Sequence, residues 1–306
     1  MNLRQLRNFI EIAQLRSFTR AAEVLHIAQP ALSRQIRMIE EDLGAPVFKR
    51  YDRGVSLTET GELLRDRVSS LLVQFDQLRD EVIARAGEPR GELTAGLPPS
   101  MRQLITVPLV NAYCRRYAEV NLHVQEGISV DLGKLLQEGK LDCAVIVDLA
   151  ALPFAKSEPF LREQLFLVGP REAQLDMRKP ASIKDASDKP MILTSRPNSL
   201  RLVFENALGR ARLPLKLIAD GNSTEMMIEL VSCGLGYSVL PYCATWSTLR
   251  QGTLSAAPIE DLWIDWVFVS PSQRSLSVAG RKMKDLLFAL AKERIDSREW
   301  EGAQLA

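Results

Sequence analysis

From Leu64 to Val82 the chain repeats apolar residues at steps of four and three: Leu64, Val68, Leu71, Phe75, Leu78 and Val82. An unbroken alternation of this kind is a heptad seam, and a helix that carries one pairs with another helix along it. The pattern predicts a long helix over about residues 59–86, with these six residues pairing against a copy of the same helix. Packing on the body of its own subunit is the alternative, but no nearby stretch offers a matching seam. The seam also divides the chain. Residues 1–58 must form a small unit before it, and the remainder of the 306 residues must form a larger one after it.

The small unit reads as three short helices and a hairpin. Leu3, Leu6, Ile10 and Ala13 repeat at helical spacing. Ser17 or Thr19 restarts a helix whose Phe18, Ala21, Ala22 and Leu25 face inward, and a break at residues 26–28 follows. Pro30 sits in the first turn of the third helix, where its missing N–H costs nothing. Gly44 and Pro46 end that helix. Leu32, Ile36, Ile39 and Leu43 form its apolar stripe, and Pro30, Ser33, Arg34 and Arg37 project from the other side. Val47 and Phe48, then Val55 and Leu57, flank an Asp-Arg-Gly turn and predict a small hairpin.

Charge singles out the same unit. The net charge of the whole chain is +1, but residues 1–58 carry nine Lys or Arg against six Asp or Glu. Two helices around a short break, with small Ala21 and Ala22 at their crossing, match a helix-turn-helix. In that motif the second helix enters the major groove. Gln29 suits adenine there, and Arg34 and Arg37 suit guanine or phosphate. Lys49, Arg50 and Arg53 on the hairpin are placed for flanking phosphates or the minor groove. A solvated polar helix face is the bland alternative.

The run from Leu3 to Arg50, followed by "RGVSLTETG", is similar to the N-terminal signature of LysR-type transcriptional regulators. The resemblance implies a winged helix-turn-helix over residues 1–58, a linker and dimerisation helix over 59–88, and an effector-binding domain over 89–306. That domain would be two-lobed, α/β and similar to periplasmic binding proteins. Lobe I is expected at about 92–161 and 267–306, and lobe II at about 162–266. The resemblance further implies double-stranded DNA with an interrupted palindromic site, a homodimer or homotetramer, a small-molecule effector, and RNA polymerase as a further partner. One position departs from the pattern. The family commonly has Ser or Thr before the Gln-Pro of the recognition helix, and here Ala28 stands in that place. Replacing such a cap by Ala costs about 0.5–2 kcal/mol. "TSRPNSLR" (194–201) resembles the nitrogen assimilation control branch of the family.

After a Gly/Pro-rich break at 86–92, short β-rich runs alternate with helical stretches, the pattern of an α/β domain with a largely parallel sheet. Ligands of such sheets bind outside the strand C-terminal ends. "LPPSMRQL" places Pro99, Ser100 and Met101 at one such end, and "EGISVD" places Gly127 and Ser129 at another. Val147 and Asp148 end a buried run. Ser195, Arg196 and Asn198 follow "MILT", and Asn222 and Ser223 precede a helix. Hydroxyls, helix N-termini and an arginine suit a small anionic metabolite. The competing reading is that Ser100, Ser129, Asn222 and Ser223 only cap helices.

Other chemistry finds little material. His26 and His123 are the only histidines and fall in different domains, which argues against His-based catalysis or a metal site. Cys114, Cys143, Cys233 and Cys243 form no C-x-x-C pair. Gly234-Leu235-Gly236 lacks the third glycine of a dinucleotide loop and follows a helix. No cofactor is expected. No signal peptide and no window long enough to span a membrane are present, so a cytoplasmic protein is expected. A cytosolic binding protein or enzyme with a basic helical appendage stands as the alternative function.

Overall fold

The computed structural model describes residues 1–51, 54–84, 89–148, 152–272 and 275–306. The chain divides into two compact units, Met1–Arg85 and Ala86–Ala306.

In the first unit α1 (Leu3–Leu15) starts on a capping box, in which Asn2 and Gln5 satisfy each other's backbone N–H. It ends at Arg16 in the left-handed region. Ser17 caps α2 (Phe18–Val24), and α3 (Gln29–Leu43) ends at Gly44, also left-handed. Strands β1 (Phe48–Tyr51) and β2 (Gly54–Leu57) pair antiparallel, Phe48 opposite Leu57, and form the wing. The core gathers Phe9, Ile12, Phe18, Ala21, Leu32, Ile36, Ile39, Val47 and Phe48. The ring of Phe48 lies 5.3 Å from Phe9 and 5.6 Å from Phe18, so the wing's first strand is anchored by aromatic packing. Two details differ from the periodicity. The buried face of α1 turns toward Leu6, Phe9 and Ile12, leaving Ile10 and Ala13 half-buried. Leu43 is 39% exposed, because the helix runs past the core before Gly44 stops it.

The wing meets the long helix α4 (Glu59–Ala84) through one tight contact. Thr58 caps α4: its Oγ1 accepts from the Gly61 N–H (3.0 Å) and donates to the Pro46 carbonyl (2.7 Å). The Val47 carbonyl then lies so close to Gly61 that a Cβ there would approach it to 2.0 Å. Along the seam, Leu64 packs against the core of its own unit and Val68 is buried. Leu71, Phe75 and Leu78 are 47%, 43% and 59% exposed. The side chain of Val82 lies outside the described residues. The stretch of seam open to a partner therefore begins at Leu71, and the two earlier residues are used within the protomer.

The second unit begins with β3 (Gly91–Leu97), a short turn at Pro99–Met101, a wider π-type turn at Arg102–Thr106, and α5 (Val107–Arg116). There follow β4 (Val120–Glu126), α6 (Ser129–Gln137), β5 (Cys143–Val147) and the long β6 (Ala155–Pro170). Next come α7 (Ile183–Ser187), β7 (Met191–Thr194), α8 (Ser199–Ala211), β8 (Leu217–Gly221) and α9 (Thr224–Ser232). The unit ends with β9 (Ser238–Pro241), α10 (Tyr242–Arg250), the long β10 (Leu254–Pro271), α11 (Val278–Asp296) and β11 (Ala303–Leu305).

Strands β4, β3 and β5 are parallel, and β10 joins β5 antiparallel. This is the sheet of lobe I. In lobe II, β9 pairs with β6, and β7 pairs in parallel with β8. The antiparallel pair β6 and β10 runs through both lobes, from Ala155 opposite Pro271 to Pro170 opposite Leu254. The expected two-lobed α/β architecture is therefore present, and the two long strands that cross between the lobes join them. No helix among the described residues is long and apolar enough to cross a membrane.

The contact at Gly61 gives a direct test. Gly61→Ala forces the wing away from α4, and overpacking of this kind costs about 1–3 kcal/mol. Hydrogen exchange of the intact chain, read by mass spectrometry, should show faster exchange across residues 46–62 and none elsewhere.

Candidate nucleic-acid interface and effector cleft

The helix α3 starts without a side-chain cap, as the sequence implied: Ala28 is extended and offers no side-chain acceptor. The first turn is held by backbone bonds from Ala31 and Leu32 to the Ala28 carbonyl (2.9 and 3.1 Å) and by Pro30. Leu32, Ile36 and Ile39 anchor one side of the helix. That leaves Gln29, Pro30, Arg34 and Arg37 exposed and Ser33 half-buried on the other. Gln29 Nε2 donates to Ser33 Oγ at 3.4 Å. Neither Arg34 nor Arg37 has an ion pair among the described residues, so both guanidinium groups are free to meet an anion. Lys49 is exposed on β1. Arg53 and the side chain of Arg50 lie outside the described residues.

The acids at the far end of α3 have a structural part that the sequence did not reveal. Glu40 Oε1 accepts from the backbone N–H of Val47 (2.9 Å) and Phe48 (3.4 Å), fixing the base of the wing to the recognition helix. Asp42 takes the chain's terminal ammonium. Both charges are thus held at the end of the helix opposite Gln29 and Pro30.

In the second unit the sheet itself assembles the predicted turns. Leu97 pairs with Glu126 and the Gly127 N–H donates to the Leu97 carbonyl (3.3 Å), so the ends of β3 and β4 share one edge. Val147 joins them from β5: its N–H donates to Ser129 Oγ (2.9 Å). In lobe II, Thr194 pairs with Gly221, which brings Ser195 and Arg196 beside Asn222 and Ser223. The Arg102 guanidinium links the two edges. It grips Glu126 of lobe I through Nε (2.8 Å) and Nη2, and it meets Glu225 of lobe II, in the first turn of α9, through Nη1. The hydrogen bond to Glu126 raises the pKa of Arg102, which keeps it charged. Arg102 and Glu126 also border a groove of about 650 Å³ against Val107, Val110 and Val124.

Several predicted residues are committed elsewhere. Met101 is fully buried in the core rather than facing a cleft. Asn198 caps α8 and Ser223 caps α9, accepting from Leu200 (2.9 Å) and Met226 (3.3 Å). Asp148 is exposed, with its N–H bonded to the Asp265 carbonyl (2.8 Å). Arg196 pairs with Glu205 (2.7 Å), and Ser195 donates to Asp220 (3.1 Å). Both serve a centre that the sequence reading missed. The buried Arg201 reaches Glu205 (2.8 Å), Asp220 (2.8 Å) and the Thr194 carbonyl (3.1 Å). Burial works to raise the Glu205 carboxyl, but Arg201 and Arg196 hold it below its ordinary range. Ser100 is buried beside the Cys243 thiol, Pro99 is half-buried, and Asn222 is exposed. The cation that reaches across both lobes is Arg102, whereas Arg196 is held within lobe II. Nothing local marks Arg102, since its partners lie far away in sequence.

Comparison with known proteins places both units. Residues 3–62 match the bacterial regulatory helix-turn-helix protein, lysR family, and residues 86–291 match the LysR substrate binding domain. The nitrogen assimilation regulatory protein nac of Escherichia coli is 28% identical over 98% of this chain and 99% of its own. The regulator BbuR of Bordetella bronchiseptica is 30% identical over 84% of this chain and 79% of its own. Among solved structures, a full-length OxyR variant from Pseudomonas aeruginosa superposes with a TM-score of 0.73 at 23% identity, covering 95% of each chain. Full-length CbnR complexed with its target DNA gives 0.65 at 18% identity, covering 96% of this chain and 99% of its own. These two likenesses concern the fold. The matches support a regulator and not an enzyme with a basic appendage.

The Arg102 bridge is testable with thiols the chain already has, since Cys114 on α5 and Cys233 at the end of α9 are exposed. Spin labels on them measure the separation of the lobes. Arg102→Glu sets three acids together and should lengthen and broaden the distance distribution; adding Glu225→Arg should narrow it again.

Proposed function

Because the chain belongs to the LysR family of bacterial regulators, we propose that α3 reads an interrupted palindromic DNA site in a homodimer or homotetramer under the control of a small anionic effector. The observation that carries the DNA reading is the pair Arg34 and Arg37, exposed and without ion-pair partners among the described residues, on the face of α3 opposite its apolar anchor. Gln29, Pro30 and Ser33 share that face with them, and Lys49, Arg50 and Arg53 belong to the wing. Pairing through Leu71, Phe75 and Leu78 is supported by their exposure, which a second copy of the seam would remove.

The effector site is assigned to the facing strand ends of the two lobes. The turns that carry Ser100, Gly127 and Ser129 line it from lobe I, and those that carry Ser195, Asn222 and Ser223 line it from lobe II. Arg102 supplies the positive charge. An anionic effector would compete with Glu225 for it, which couples binding to the spacing of the lobes. The protein acts without catalysis in this reading: His26 belongs to the first unit and His123 to β4 in the second. RNA polymerase as a further partner and a cytoplasmic location complete the proposal.

Binding to promoter DNA across a salt series tests the first part. The wild type should show sequence-preferring affinity that falls linearly with salt on logarithmic axes. Arg34→Ala with Arg37→Ala should reduce that slope by about two and relax sequence preference, while leaving the oligomer intact by light scattering. A wild-type protein without salt-dependent, sequence-preferring affinity overturns the reading.

A further inference from the structure

Glu163 is a carboxylate with no exposure to solvent, and it stands on β6 where that strand passes from one lobe to the other. Four donors converge on it. The Cys243 N–H (2.9 Å) and the Trp300 indole (2.7 Å) donate to Oε1, and the Trp266 indole (2.8 Å) and the Cys243 thiol (3.4 Å) donate to Oε2. These donors come from three separate segments: the first turn of α10, the crossing strand β10, and the C-terminal tail beyond α11.

The tail is bound at several points. Glu299 pairs with Arg294 of α11 and with Arg250 of α10 (3.0 Å). The Gly302 carbonyl accepts from the Gln164 N–H (2.9 Å), and β11 pairs with Leu161, Arg162 and Glu163. Trp300 is buried among these contacts. On the other side of the carboxylate, α10 packs on the Pro99–Met101 turn, where the buried Ser100 neighbours the Cys243 thiol. A continuous polar path thus runs from Ser100 through Cys243 and Glu163 to Trp266 and Trp300.

We propose that Glu163 is the positioning residue through which a change at the Ser100 turn reaches the crossing strands and the C-terminal tail. This deepens the effector reading, since it rests on that turn being part of the effector site. The chemistry demands a carboxylate. Three N–H donors require acceptors at both oxygens, and a glutamine would offer an amide nitrogen in place of one. That nitrogen fits only where the Cys243 sulfur can accept from it, which costs the Trp266 bond and reverses the hydrogen bond to the thiol. Burial pushes the Glu163 carboxyl up, and the four donors oppose that shift.

The test uses the full chain with ¹⁵N-labelled indoles and needs no effector. In the wild-type background, Ser100→Ala should shift the Trp266 and Trp300 indole cross-peaks beyond their linewidth. Trp263, whose ring lies under Arg162, serves as the reference. In the Glu163→Gln background, where both signals begin from new positions, Ser100→Ala should leave them unmoved. A purely structural role for Glu163 would change the starting positions without blocking the response. Cys243→Ala keeps the backbone N–H on Glu163 and removes only the thiol, so it should block the response in the same way and serves if Glu163→Gln does not fold. The proposal is overturned if Ser100→Ala leaves both indoles unmoved in the wild type, or shifts them equally in the variants. A response that reaches Trp300 in a protein whose effector control survives Ser100→Ala keeps the coupling and removes the turn from the effector site.

Discussion

Neither lobe of the sensing unit owns the strands that hold it together. β6 and β10 are 16 and 18 residues long, and at about 3.3 Å per residue such strands extend well beyond one lobe. Each lobe hydrogen-bonds its remaining strands to one half of this ribbon. The lobes cannot separate without breaking a ladder, and they can move only by bending it. Bending concentrates where the ladder is irregular, and the register shifts between Pro258 and Trp263 and again between Trp266 and Val267. Glu163, opposite Ile264, lies between the two irregular points. A buried carboxyl group at a bend is costly to disturb, because its donors would lose their acceptor together. The hinge is therefore selective about which motions it permits.

Much of the first unit was legible because its signals are local. Capping residues, a proline in the first turn, a terminal glycine and an apolar stripe all lie within a few residues of what they specify. The errors had the same origin. Counting inward residues of α1 by spacing alone favoured Ile10 and Ala13 over Phe9 and Ile12, which are the ones buried in the core. Assigning the whole seam to a partner overlooked that Leu64 is used by the unit that precedes it. In the second unit the apolar centres of the strands were readable. Their full lengths were not, because "SEPFLRE" and "IEDLWID" carry charges and a proline that a crossing strand holds on its open faces or, at Glu163, against buried donors. α10 and β11 were missed: one shows no clear period, and the other is three residues that exist as a strand only by pairing with β6.

The site was legible in part for a related reason. A serine or asparagine before a helix is the same signal whether it caps the helix or faces a ligand. Asn198 and Ser223 prove to be caps, and Ser129 ties α6 to β5. Sequence spacing located the strand ends correctly and could not say how their polar groups would be spent. The residues that relate one lobe to the other are Arg102, Glu126, Glu225 and Glu163. They acquire meaning only from partners distant in the chain, and no local pattern announces them.

The placement of tryptophan has an optical consequence. Trp246, Trp263, Trp266 and Trp300 all belong to Ala86–Ala306, and the first unit carries Tyr51 as its only phenol and no indole. Light at the red edge of protein absorption therefore excites the sensing unit alone, and half of its emitters share a single carboxylate. The DNA-facing unit is dark at that wavelength. An emission change caused by a small molecule reports where that molecule binds, whereas one caused by DNA is a signal that has already crossed from one unit to the other.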